Sequence, residues 1–178
     1  WDDDMDSGMM RSYYDQFVDV LPEELKNNNL DNKIKINFRQ RNAFVKGATS
    51  FLQLFCYADL KKGGVDLTAL DIFPFDYLSS HDENTKKIYL EEHKRLRKEL
   101  SNGKNRHDLL KESFPKLNIT LDKNKYVMAS LEVSAFGYAI YNYDDFFPLK
   151  LKKFENRYYP APNNLEIYNE ILYGKDYM

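Results

Sequence analysis

The sequence predicts an α+β domain, a mixed sheet with helices packed around it. Apolar residues alternate with polar ones over 34–38, and compact apolar runs of strand length cover 51–57 and 65–73. Elsewhere apolar residues recur every three or four positions, over 13–21 and more thinly over 89–100. These are the periods of strand and helix. The 178 residues, 43% hydrophobic and 15% aromatic, suit one packed domain rather than a disordered chain.

The elements follow in order. Residues 4–7 alternate and read as a strand end running into Gly8. Ser12, with Asp15 three residues on, has the form of a capping box, and Tyr13, Tyr14, Phe17, Val18 and Leu21 form the stripe of a helix that Pro22 should stop. Ile34, Ile36 and Phe38 mark a strand, 51–57 a second, and 65–73 a third closed by Pro74. Lys61, Lys62, Gly63 and Gly64 carry turn chemistry. Ser80 and Glu83 form another capping box, opening a helix that runs to about Leu100 on the stripe Tyr89, Leu96 and Leu100 and ends near Gly103.

Residues 126–139 mix small and apolar side chains and read as helix. Residues 146–149 break regularity, and Leu149 and Leu151 alternate with lysines as an edge strand. Residues 160–164 read as loop, and Leu165, Tyr168, Ile171 and Leu172 give a short helix ending at Gly174. No repeat or boundary divides the chain, so 1–178 is read as a single domain.

Composition narrows the function classes. One cysteine excludes an internal disulfide framework and a cysteine zinc cluster, and fits a reducing compartment. No apolar run approaches the roughly 18 residues of a membrane span, so no integral membrane segment is expected. Without a basic stripe, nucleic acid is not an expected partner. A chain opening on Trp1 rather than Met reads as a fragment, a processed product or a partial sequence. Between Lys86 and Arg106 eight basic residues face three acidic ones, as a solvated helix face or as an approach path for an anionic substrate.

The net charge of −2 comes from 26 basic and 28 acidic residues, and four of the acids are Asp2, Asp3, Asp4 and Asp6. Without residues 1–6 the chain carries 26 basic against 24 acidic residues, a net of +2. On a strand Asp2, Asp4 and Asp6 point to one face, each about 7 Å from the next. Like charges that close are costly unless a cation neutralises them. The alternative is a frayed acidic terminus, but Trp1, Met5, Met9 and Met10 bracket the cluster and favour burial. An EF-hand fails, because Ser7 and Tyr13 occupy its glycine and glutamate positions. Alternating hard oxygen ligands instead suit Mg²⁺ or Mn²⁺ bridging substrate phosphates. Asp71, a charge within the apolar run Leu70-Asp71-Ile72-Phe73, is the natural further ligand, or else a turn cap. Asp76 follows it and could equally do local turn work.

These residues resemble the LicD family. Its first signature is similar to Trp1 through Arg11 with Tyr14 and Phe17, and its second to Asp71-Ile72-Phe73-Pro74-Phe75-Asp76. A third block is matched by Phe147-Pro148-Leu149-Lys150, Phe154-Glu155, Pro162-Asn163-Asn164 and the run from Tyr173 to Met178. The resemblance implies a nucleotidyltransferase-like fold of the polymerase β type. It also implies metal-dependent transfer of a phospho-alcohol, such as phosphocholine, from a CDP-activated donor to a hydroxyl of a cell-surface glycan, teichoic acid or lipopolysaccharide.

By the same resemblance Asp4, Asp6 and Asp71 are catalytic, and with Asp2 they hold Mg²⁺ or Mn²⁺. Arg11, Arg39, Lys150 and Asp76 are the residues expected at the substrate phosphates; the basic ones, with Arg41 and Lys46, are otherwise surface charges. The aromatics could also box a choline cation, or simply fill the core. The implied location is cytoplasmic, the inner face of the membrane included. The family's Gly-Thr/Ser-Leu-Leu-Gly segment before the Trp has no counterpart, so the N-terminal part of the fold is expected to be missing. Alternatives are a nucleotidyltransferase that transfers NMP and a non-catalytic binding or assembly protein.

Overall fold

The computed structural model describes residues 5–37, 52–57, 66–133 and 136–177. Its class is α+β, and the largest element is one mixed sheet of seven described strands. The first strand, β1 (Met5–Met10), runs without a loop into α1 (Arg11–Asn27). Then come β2 (Ile34–Asn37), β3 (Leu52–Tyr57) and β4 (Asp66–Leu78). Helices α2 (Glu83–Ser101) and α3 (Arg106–Ser113) follow, then a 3-10 turn at Pro115–Leu117. Short strands β5 (Ile119–Thr120), β6 (Tyr126–Ala129) and β7 (Ile140–Asn142) complete the sheet. A one-turn helix, α4 (Tyr143–Phe146), precedes a separate hairpin, β8 (Lys150–Phe154) with β9 (Arg157–Ala161), and α5 (Leu165–Tyr173) ends the described chain.

The thirteen-residue β4 organises the sheet. It pairs in parallel with β1 and antiparallel with β3, β5 and β6. Strand alternation sends its residues to two cores. On one face Ile72 joins Leu54, Tyr14, Val18, Leu21 and Leu25 beneath α1, and Leu78 joins Met128, Tyr89, Leu96, Leu109 and Leu117 beneath α2 and α3. The other face carries Phe73 and Phe75 into a cluster with Val127, Ala129, Tyr141 and Phe146, flanked by Tyr168 of α5.

Several sequence expectations are corrected. β1 passes through Gly8 to Met10, and α1 starts at Arg11 with Met10 as a cap lacking any side-chain bond, so Ser12 is no cap. Pro22 lies inside α1, because Leu21 and Leu25 carry the buried stripe across it and offset the lost backbone bond. β4 likewise runs through Pro74 to Leu78. Among the described residues Pro74 falls between the last β3 partner, Ile72, and the first β6 partner, Phe75, where a missing N–H is tolerated. Asp82, not Ser80, caps α2, its side chain accepting from the Thr85 N–H at 2.7 Å. Residues 126–129 are strand rather than helix, since pairing with β4 buries Val127 and Ala129 on one face and Met128 on the other. Pro160 belongs to β9 rather than to a loop.

Of the strands expected at 34–38 and 51–57, the described residues 34–37 and 52–57 are strand, and the helix from 83 towards Gly103 and the helix from 165 to 173 are present; Phe38 and Phe51 lie outside the described residues. The turn expected at 61–64 lies outside the described residues.

Candidate active site

Asp6 of β1 and Asp71 of β4 are opposite one another in the parallel ladder. Register partners point to the same face of a sheet, and adjacent strands lie about 4.8 Å apart. Asp71 is only 7% exposed, while Asp6 lies in the exposed first half of β1. On its other edge Asp71 is opposite Gln53 of β3. A polar row thus crosses the apolar sheet, with one carboxylate at the solvent side and one held inside.

The walls are aromatic. Phe73, two residues beyond Asp71 on the same face, meets Phe136 edge to face at 4.8 Å. Tyr168 of α5 stacks on Tyr141 with ring centroids 4.9 Å apart. Its phenol is pushed up to about 12, first by burial, then by Tyr173 and by the negative charge of Asp6. Tyr168 therefore stays protonated at neutral pH, close enough to Asp6 to feel its charge. Gly8 makes this strand pairing possible: a Cβ there would lie 2.6 Å from the Phe75 ring.

Arg11 and Asp76 have a different place. The Arg11 guanidinium is 4% exposed and Asp76 is 0% exposed. Arg11 donates to both Asp76 oxygens, from Nε at 2.9 Å and from Nη2 at 3.2 Å, and to both Glu132 oxygens at 2.9 Å. Glu132 also accepts from Arg106 and from the Ser130 hydroxyl. Burial works to raise the Glu132 carboxyl, but Arg11, Arg106 and these hydrogen bonds overcome it and hold the group at about 2. Burial also acts against the Arg11 charge, and Asp76 and Glu132 more than compensate, so Arg11 stays charged. The cluster lies on the face opposite Asp71, because Asp76 is an odd five positions further along β4. Arg11 and Asp76 thus leave the set expected to meet a donor diphosphate, since each is committed to a buried partner.

The remaining expected residues are spread. Lys150 begins β8, exposed on the separate hairpin. Asp2, Asp4 and Arg39 lie outside the described residues, and so do Arg41 and Lys46. Among the described residues no group of three or more His, Cys, Asp or Glu side chains is arranged to hold a metal. The pair that is described still fits a hard cation in its chemistry: two carboxylates side by side on one face, with an amide next in line. Sequence reading missed Gln53, whose signal is a polar residue interrupting the apolar run 51–55. It also missed Tyr168, whose spacing marks only a helix stripe.

Among the described residues no helix is long and apolar enough to cross a membrane. Comparison of the chain with protein-family models, curated proteins and solved structures finds no match.

Proposed function

We propose that this chain is a metal-dependent phosphotransferase of nucleotidyltransferase-like fold, moving a phospho-alcohol group from a CDP-activated donor to a glycan hydroxyl. The observation that carries the proposal is the register of Asp6 against Asp71 across parallel strands. Acidic residues that are far apart in sequence come together on one face, beside an aromatic wall. The three motif blocks that resemble the LicD family support the choice of donor.

Asp6 and Asp71, with Asp4 and Asp2 from the same sequence motif, would hold Mg²⁺ or Mn²⁺. A cation there would neutralise charge developing on the phosphoryl group and its leaving CMP. The chain's own residues do the rest. Asp71, fixed in the middle of the sheet, sets the position of the acidic edge. Asp6, at the solvent side, can accept the proton of an incoming hydroxyl. Tyr168 offers a protonated phenol nearby, and Phe73 and Phe136 limit water on that side of the sheet.

The test is product analysis. The chain is incubated with Mg²⁺ and CDP-choline, CDP-ribitol or CDP-glycerol, with a glycan acceptor. CMP release that is lost in folded Asp6→Ala and Asp71→Asn variants is the expected result. Pyrophosphate release from CTP would assign NMP transfer instead. No turnover, together with no Mg²⁺-dependent thermal shift with any of these nucleotides, would assign a binding or assembly role.

A further inference from the structure

The C-terminal hairpin is a surface feature that the proposed site leaves unused. β8 and β9 form a two-stranded sheet of their own, and the thirteen residues 148–160 are all exposed. Leu151 and Phe154 are each 69% exposed and Tyr158 is 64% exposed. Isolated two-stranded hairpins are marginal in water. This one is held at its base: Asn163 donates through its backbone to the Phe146 carbonyl at 3.0 Å and through its side chain to the Asp144 carbonyl at 2.6 Å, and the Asn164 N–H bonds the Asp145 carbonyl at 2.8 Å. The fold anchors the hairpin and then presents it.

The aliphatic side chains share one face and most of the cations the other. Register pairs Leu151 with Pro160 and Lys153 with Tyr158 on one side, with Leu149 two residues before Leu151. Lys150, Lys152 beside Tyr159, and Phe154 beside Arg157 occupy the other. Between 149 and 161 four basic residues meet one acid, Glu155, in a chain whose net charge is −2. Exposed aliphatic and aromatic side chains among lysines combine the two signals of reversible membrane attachment: apolar groups that enter the acyl boundary, and cations that stay with the phosphates.

We propose that this hairpin docks on an anionic lipid surface. Leu149, Leu151 and Tyr158, which share one face, would enter the interface, and the hairpin's cations, Lys150, Lys152, Lys153 and Arg157, would reach the lipid phosphates around it. A nucleic-acid groove would use the aromatics and cations but leave Leu149 and Leu151 without a role. The proposal does not depend on the transfer reaction, and its test reads binding alone.

The test is co-sedimentation of the whole chain with vesicles of phosphatidylcholine alone and of an equimolar mixture with phosphatidylglycerol. Expected is binding to the mixed vesicles that weakens about tenfold or more on phosphatidylcholine alone and in high salt. A Leu151→Asp, Tyr158→Asp double variant should lose binding while keeping its circular dichroism and Tm, since both side chains are exposed on the same face. A Lys150→Glu, Lys152→Glu, Lys153→Glu variant should lose the salt-dependent part. No binding of the native chain to mixed vesicles, or equal binding by the double variant, would overturn the proposal. A dimer that the double variant abolishes, without vesicle binding, would assign the face to a second copy. An oligonucleotide shift without vesicle binding would assign it to nucleic acid.

Discussion

Arg11, the first residue of α1, grips Asp76 of β4 with two hydrogen bonds, at 2.9 and 3.2 Å, in a region with almost no solvent access. The same guanidinium holds Glu132, which Arg106 shares. This cluster ties the end of the acidic strand to the middle of the sheet and to the turn after β6.

Breaking that cluster on one side should be severe. Arg11→Met leaves Asp76 and Glu132 as buried carboxylates short of a cation, a change that costs about 3–5 kcal/mol. Urea unfolding should show it as a large fall in midpoint. Replacing Arg11, Asp76 and Glu132 together by apolar residues of similar size should cost less than the single change.

The same cluster sets an acid limit. Glu132 is held at about 2, below the ordinary value of 4.5. A depressed carboxyl adds stability above its unfolded value, and that stability is lost as pH falls through the folded one. Tm should therefore be steady above about pH 5 and decline between roughly pH 4.5 and 2. Glu132→Gln should start lower and flatten that decline.

An alkaline limit should come from buried phenols. Tyr168 and Tyr89 are each pushed up to about 12 from 10.0, in both cases first by burial. A raised phenol favours the neutral folded form, so this stability is complete below pH 10 and fades as pH rises towards 12. Tyr168→Phe keeps the stack on Tyr141, so Tm at neutral pH should change little and the alkaline fall should weaken. If the phenol also serves the proposed transfer, turnover should fall in the same variant while Mg²⁺ binding is kept.

Gly8 gives a steric test. A methyl group there meets the Phe75 ring at 2.6 Å, and that ring is pinned by Phe146 at 5.2 Å and Phe136 at 6.0 Å. Gly8→Ala should cost about 1–3 kcal/mol by overpacking. Adding Phe75→Leu should recover part of the loss, a coupling that a double-mutant cycle measures.

Much of the frame was legible because it rests on period. The alternation at 34–37 and the stripe at Tyr89, Leu96 and Leu100 lead directly to β2 and α2. Punctuation misled where burial outweighed it. Pro22 and Pro74 read as stops, but Leu25 beyond one and the β6 pairing beyond the other continue their elements. Val127, Met128 and Ala129 were too few to separate period two from helix without the partner strand. At the site, Asp71 was legible as a charge in an apolar run. The commitment of Arg11 to Asp76 and Glu132 was not, because it joins positions 65 and 121 residues apart.

The spacing inside Asp71-Ile72-Phe73-Pro74-Phe75-Asp76 has a consequence of its own. Its two aspartates carry the same charge and lie on the same strand, yet an odd offset gives them opposite fates. One is turned to the acidic edge and the other is sealed against Arg11. Losing any single residue between them would give both the same fate, carrying the second acid round to the face of the first and stranding the guanidinium. What the block encodes is parity: in a relative of this chain, an insertion or deletion of one residue here would do more damage than most substitutions, and one of two residues would preserve the arrangement.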